Sequence, residues 1–461
     1  MTALTEVSDW VADHLPTLLE QYGVPAAAVG ILADGEVVDH AAGLLSMSTG
    51  VEATPDSVFQ IGSITKLWTS SLVMQLVDEG LVDLDATVRT YLPDFRIGDE
   101  SAAAVITVRQ LLTHTSGFEG DIFTDTGVGD DCVEKYLGVL HDVPQLFPPG
   151  SMWSYNNAGF TVLGRLVEVL RGKPYDVCLR ERLITPLGLT HVATGPYEAI
   201  LFRAAVGHIQ PAQDAPYQAA PVWAMVRSNI PAGSMLAMSP RSLLGFARLH
   251  LDDGRAPDGT QVLAPGTAGR MHARQVELPD LGFLANTWGL GFERFETPTG
   301  TIIGHDGGTI GQSAFLRMVP DAGVAVALLT NGGDTMALYA HLVGHVLGEL
   351  ADVGLPALPS PPAQPASVDA VRYLGTYACD LADLVVSADD AGRLWLDETP
   401  KGVAVELGDT ASRTELVAYR DGALIALHPD RGMHRVYAFL GDDGAGRAAY
   451  LHTGRALVRA G

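Results

Sequence analysis

Positive charge is scarce in this sequence. Its 461 residues carry 29 lysines and arginines against 54 aspartates and glutamates, a formal net charge of −25. An acidic excess of that size repels phosphate backbones and anionic lipid heads, so neither nucleic acid nor an acidic membrane is an expected partner. Cysteine is also sparse. Cys132, Cys178 and Cys379 form no CxxC pair, which argues against a disulfide framework or a structural zinc site and suits a reducing compartment. No uncharged apolar run reaches the ~18 residues of a membrane span. The opening stretch MTALTEVSDWVADHLPTLLEQ lacks the basic start and apolar block of a secretory leader, so a cytoplasmic location is expected.

What is present is enough apolar matter for packed cores: 47% of residues are hydrophobic and only 18% charged, which excludes disorder over most of the length. In the first segment Leu4, Val7, Val11, Leu15 and Leu18 recur at helical spacing and predict an amphipathic helix. AAAVGIL and EVVDHAAG flank Asp34-Gly35 and predict a β-hairpin over Ala26–Gly43. Helices are expected from Ser63 to about Glu79, over Thr161–Leu170 and from about Thr335 to Leu350. Strands are expected at Thr301–Gly304, Ser313–Val319 and Val324–Thr330. The uncharged GLPALPSPPAQPAS at 354–367 reads as a semi-rigid linker. It divides a unit over 1–353 from a small all-β unit over 368–461, where short β-rich runs alternate with Asp-Gly turns. The second unit holds 14 acidic and 10 basic residues, so most of the acidity belongs to the first.

Three short motifs carry the chemistry. Ser63-Ile64-Thr65-Lys66 opens a predicted helix, which sets the ammonium one turn from the hydroxyl on the same face. A lysine so placed activates a serine when burial and neighbouring cations lower its pKa. The chain has only four lysines, which gives Lys66 weight. Further along lie Tyr155-Asn156-Asn157, in SYNNAGFTVLGRLVE, and His305-Asp306-Gly307, in GHDGGTIGQSAF.

In order and spacing these motifs resemble those of the serine β-lactamase and penicillin-binding-protein superfamily, in its class C-like branch of esterases, D-aminopeptidases and transacylases. LLTHTSGF at 111–118, PLGLTH at 186–191 and PAGSMLAMSPRSL at 231–243 support the resemblance, which covers about residues 20–350. It implies an α/β (α+β) fold, with an antiparallel sheet, a mostly helical lobe and the active site between them. YLGTYA at 373–378 further resembles the start of the lipocalin-like barrels that follow this catalytic fold.

By the same resemblance Ser63 is the nucleophile, and Lys66 and Tyr155 share the general-base work. Asn157 orients Lys66 and the substrate, and His305 stands where true β-lactamases carry lysine. The oxyanion hole comes from the backbone N–H groups of Ser63 and Gly308, and the glycine pair Gly307 and Gly308 lets substrate approach the strand closely. Asp306 adds a negative charge beside that strand, so neutral esters or amides are expected over carboxylate-bearing β-lactams. His114, Ser116 and Gly117 are read as shaping a loop, with no chemistry.

The implied function is hydrolysis of a small ester or amide through an acyl-Ser63 intermediate. The alternatives are a transacylase that moves the acyl group to an amine or alcohol in small-molecule biosynthesis, and a non-catalytic ligand-binding protein. No cofactor or metal is called for. His341, His345 and Glu349 share a helical spacing that could hold a metal, but Leu342, Val346 and Leu350 mark a packing face there. Gly304–Gly311 lacks the strand–GxGxxG–helix context of a phosphate cradle, and no GxSxG supports an α/β-hydrolase. The sequence carries no signature of oligomeric state.

Overall fold

Residues Ala26–Ala33 (β1) are small and apolar throughout, and all eight are buried. Ala26, Ala28 and Leu32 face one hydrophobic core while Ala27, Val29 and Ile31 face another, so the strand is covered on both sides. Asp34 and Gly35 turn the chain with φ of 53° and 76° into Glu36–Ser46 (β2), the predicted hairpin. In the computed structural model, which describes residues 2–210, 215–282, 285–406, 410–430 and 433–460, this hairpin forms one side of a nine-stranded sheet. The other long strands are Glu293–Thr297 (β3), Gly300–Thr309 (β4), Gln312–Val319 (β5) and Val324–Thr330 (β6). From edge to edge the order is Val51–Glu52, β2, β1, β6, β5, β4, β3, Thr287–Trp288 and Val276–Glu277, with every neighbouring pair antiparallel.

Helices clothe both faces. Ala3–Tyr22 (α1), the amphipathic helix expected from its spacing, buries Leu4, Val7, Val11, Leu15 and Leu18 with Leu342, Val346 and Leu347 of the closing helix Thr335–Ala351. On that closing helix His341 hydrogen-bonds Tyr22 and His345 lies tilted against Trp10 of α1. No cluster of three metal-ligating side chains occurs among the described residues. None of the described helices is long and apolar enough to cross a membrane.

On the opposite face lies Thr65–Asp78 (α2), buried on every side from Thr65 to Leu76. The helix Pro240–Leu251 separates it from the sheet and stacks Phe246 on Trp68 at 4.1 Å. Asn157–Arg171 (α3) packs across α2 and begins at the second motif, four residues earlier than the sequence suggested. The Asn156 side chain caps it by accepting from Gly159 N, and Gly172 ends it with φ of 65°.

After residues 354–367, which contain no helix or strand, eight strands from Gly375–Ala378 to Ala456–Ala460 form a closed barrel in which the last strand pairs with the first. Tyr377, Leu384, Leu396, Leu424, Phe439 and Leu451 fill its interior, as expected of a barrel of this strand number. The fold is therefore the α+β sheet-and-helix unit anticipated, joined to an all-β barrel.

Trp68 has no exposed surface and stacks on another buried ring. Trp68→Ala is expected to destabilise the protein by about 3–5 kcal/mol. Denaturant unfolding checks this, with the midpoint falling and the slope unchanged.

Candidate active site

Ser63 lies on a short 3-10 turn, Gly62–Ile64, that leads directly into α2. The spacing then places Lys66 on the same face, where its Nζ donates to Ser63 Oγ at 3.0 Å and to the Ala232 carbonyl at 2.6 Å. Lys66 has no exposed surface. Burial drives its pKa well below the ordinary lysine value, the Arg455 charge adds to the shift, and Asp121 opposes it. The free amine is therefore far more accessible than in a surface lysine.

Tyr155 projects over this pair, with Lys66 Nζ 4.9 Å from its ring centre. Its hydroxyl is buried without a well-aligned hydrogen-bond partner. Burial raises its pKa strongly, while Ser63 and Arg455 pull it down. In the free enzyme Tyr155 is thus a neutral phenol, and Lys66 is the better proton acceptor of the two. His114 helps to set the tyrosine: its ring stacks on Tyr155 at 4.5 Å and its Nδ1 accepts from Asn156 N at 2.9 Å. LLTHTSGF is thus more than a loop former, since His114 is packed against the site.

Asn157 corrects a second expectation. Its Nδ2 donates to Asp121 Oδ1 at 2.6 Å, and no hydrogen bond joins it to Lys66 among the described residues. The reason lies in tertiary structure: the loop bearing Asp121 crosses in front of the start of α3, and Gly120 accepts a hydrogen bond from Ala158 N.

The third motif lies on β4, against the Ser63 turn. A Cβ on Gly307 would collide with the Ile61 carbonyl, so this glycine is required by the approach of two backbones, not by substrate as the sequence suggested. Gly308, in contrast, faces open space. His305 is buried, and its Nδ1 donates to the Asp306 carbonyl at 2.5 Å. That leaves Nε2 as an unpartnered acceptor. Burial and Lys66 lower its pKa to about 3, so the ring is neutral.

Asp306 is not the isolated negative charge expected. Its Oδ1 accepts from Arg317 Nη2 at 2.5 Å, and Tyr339 and Glu293 complete a buried network around that guanidinium. Burial pushes Asp306 up to about 6, with Arg317 opposing, so the pair is ionised at neutral pH.

The barrel supplies what the motifs did not reveal. Its last hairpin docks on the segment before α3: Tyr155 N donates to Gly454 O at 3.0 Å, Ala456 N to Ser154 Oγ at 3.0 Å, and His452 Nε2 to Trp153 O at 2.9 Å. This docking carries Arg455 to 4.9 Å from the Tyr155 ring centre and into an ion pair with Asp121. Thr453, Gly454 and Arg455 thus line the same cavity as Ser63, Tyr155, Asn157, His305 and Gly308, with a volume of about 520 Å³. Trp153, Trp288 and Phe315 form much of its apolar wall. No sequence signal marks Arg455 or Asp121: one is an ordinary turn residue in a β-rich unit, and the other lies outside every motif.

A serine with a buried lysine one turn away, facing a glycine-bearing strand of an antiparallel sheet, defines a serine hydrolase of the β-lactamase kind. The β-lactamase family matches residues 11–347, and the chain belongs to it, within the serine β-lactamase and penicillin-binding-protein superfamily. It is 43% identical over 367 residues to penicillin-binding protein 4 of Amycolatopsis lactamdurans, covering 79% of this chain and 96% of that protein. It is 34% identical over 179 residues to esterase EstB of Burkholderia gladioli, covering 35% of this chain and 45% of that one. Among solved structures SurE aligns over 100% of both chains at 31% identity with a TM-score of 0.81. Its complex with D-Leu aligns over 99% of this chain and 100% of that one, at 30% identity and a TM-score of 0.77.

Gly307→Ala is expected to abolish soluble folded protein or Ser63 reactivity, whereas Gly308→Ala folds with an unchanged melting temperature. Circular dichroism and thermal unfolding of the two variants check the contrast. The buried histidines also link stability to pH. His452 has its pKa lowered by burial to about 4, whereas an unfolded chain protonates histidine at about 6.5. Below that pH the unfolded state binds the proton and the folded state does not, so this contribution is lost as pH falls. His452→Gln is expected to flatten the dependence of unfolding free energy on pH between about 6.5 and 4 by up to about 1.4 kcal/mol per pH unit. Urea unfolding across that range measures it.

Proposed function

We propose that this protein is a serine acyl-transfer enzyme of the class C-like branch, working in the cytoplasm on a small ester or amide through an acyl-Ser63 intermediate. The observation that carries the reading is the 3.0 Å contact between Ser63 Oγ and a lysine whose burial favours the free amine. Lys66 accepts the Ser63 proton as Oγ adds to the substrate carbonyl. The oxyanion takes hydrogen bonds from the backbone N–H groups of Ser63 and Gly308. The proton then passes by way of Tyr155 to the departing alcohol or amine, leaving the acyl group on Ser63. In the second half an acceptor gives its proton to the same Lys66–Tyr155 pair as it attacks the acyl carbonyl, and that proton passes to Ser63 Oγ as the acyl–Oγ bond breaks.

Water as acceptor makes the enzyme an esterase or amidase. The second reading, transfer to an amine, is supported by the room in the cavity of about 520 Å³, which the barrel turn helps to line and which can hold an acceptor beside the acyl group. Arg455 also alters the expected charge class. Its Nη1 has no partner among the described residues, which supports a donor or acceptor bearing a carboxylate and replaces the expectation of a neutral substrate. SurE crystallised with D-Leu, a molecule with both a carboxylate and an amine, and its likeness extends over the whole chain.

A fluorophosphonate or fluorescent penicillin is expected to label the protein, and Ser63→Ala to remain unlabelled; equal labelling of both overturns the mechanism. Incubating an activated ester with and without an amine pool, followed by mass analysis, separates the acceptors. Free acid alone at high amine establishes hydrolysis.

A further inference from the structure

Asp121 belongs to none of the three motifs, yet it is the point at which the two units of the chain meet, directly behind the cavity residues Asn157 and Arg455. Its side chain is only 2% exposed. Oδ1 accepts from Asn157 Nδ2 at 2.6 Å and from Arg455 Nη2 at 3.3 Å, and Oδ2 accepts from Arg455 Nε at 2.7 Å. One carboxylate therefore fixes the amide of the second motif and the guanidinium of the barrel at once. It occupies two of the three guanidinium nitrogens and matches the single positive charge that the barrel brings to the site.

We propose that Asp121 is the positioning residue that sets the charge selectivity of the acyl-transfer site: by holding Arg455 through Nε and Nη2 it leaves Nη1 for one carboxylate of the substrate, and it aligns Asn157 beside the same group. A carboxylate bound there completes the guanidinium's hydrogen bonding in the planar, charge-assisted geometry that arginine favours. A dianionic substrate is disfavoured, because Asp121 has already matched the charge of Arg455. Asp121 also faces Lys66 through space. The other titratable groups around that lysine are Arg455, Tyr155, His114 and His305, and both histidines are neutral by burial.

This inference rests on the acyl-Ser63 reading, and the experiment separates the two. The full-length wild type, Asp121→Asn and Arg455→Gln are acylated in parallel with a neutral alkyl fluorophosphonate and with a fluorescent penicillin that carries one carboxylate. In Asp121→Asn the rate ratio of penicillin to fluorophosphonate is expected to rise about tenfold, the factor that about 1.4 kcal/mol of charge interaction produces. In Arg455→Gln it is expected to fall by at least about as much. The acid limb of the fluorophosphonate reaction moves to lower pH in Asp121→Asn, which removes a charge favouring protonated Lys66. It moves to higher pH in Arg455→Gln. Loss of packing alone would slow both probes together and shift neither limb.

Independently of acylation, calorimetric affinity for D-Leu is expected to rise in Asp121→Asn and to fall in Arg455→Gln. Unchanged rate ratios and D-Leu affinities in both variants, with the wild type labelled, overturn the role of Asp121 alone. Absence of labelling in the wild type overturns the acyl-Ser63 reading, and the D-Leu titrations then decide the role of Asp121.

Discussion

The site depends on keeping Lys66 out of water with no carboxylate bonded to it. Among the described residues its Nζ bonds only the Ser63 hydroxyl and a backbone carbonyl, with the rings of Tyr155 and Phe160 over it. Desolvation of a lone ammonium is costly, and the protein meets that cost by favouring the neutral amine. The neutral amine is also the form that can take a proton from a serine. The neighbourhood follows the same constraint. His114 and His305 are neutral, and Tyr155 is a phenol without a strong acceptor. Asp306 and Glu293, which also line the cavity, are gathered around Arg317 and not around Lys66.

The strongly acidic composition is consequently a poor guide to the site. Around the cavity, Arg455 is paired with Asp121 behind the wall, and Asp306 with Arg317. The barrel acts as a wall of that cavity. Its own interior is filled by Tyr377, Leu396 and Phe439, and its contribution is the hairpin that bonds to the Trp153–Tyr155 segment. The backbone bearing Tyr155 is thereby held from both sides, by His114 in the catalytic unit and by Gly454 in the barrel.

Much of the fold was legible because local rules and burial agree. The α1 spacing, the Asp34-Gly35 hairpin and the apolar strands β5 and β6 all appear where periodicity and turn chemistry put them. The start of α3 was missed by four residues because its first turn is capped by Asn156 and carries the motif itself, so the apolar period begins only later. Ser63, Lys66, Tyr155, His305 and Gly308 were nameable because each sits in a short local motif, and the structure brings those motifs to one end of β4. Asn157 was found, but its partner was not. Gly307 was found for the wrong reason, since a close approach to Ile61 from a distant segment leaves no trace in the local sequence.

What the sequence determined by itself was which groups come together at the cavity: a serine and lysine one helical turn apart, a tyrosine before a capped helix, and a glycine-bearing strand. Each depends on neighbours a few residues away, and backbone geometry transmits that directly. Only the tertiary structure decided the electrostatics. Whether Lys66 is charged, which partner holds Asn157, and what sign of charge a substrate meets all depend on burial and on Asp121 and Arg455. Those two residues lie far apart in the chain and are joined only when the barrel docks. Coulombic and desolvation effects act through space, and no pattern along the chain encodes which distant side chains will share one cavity.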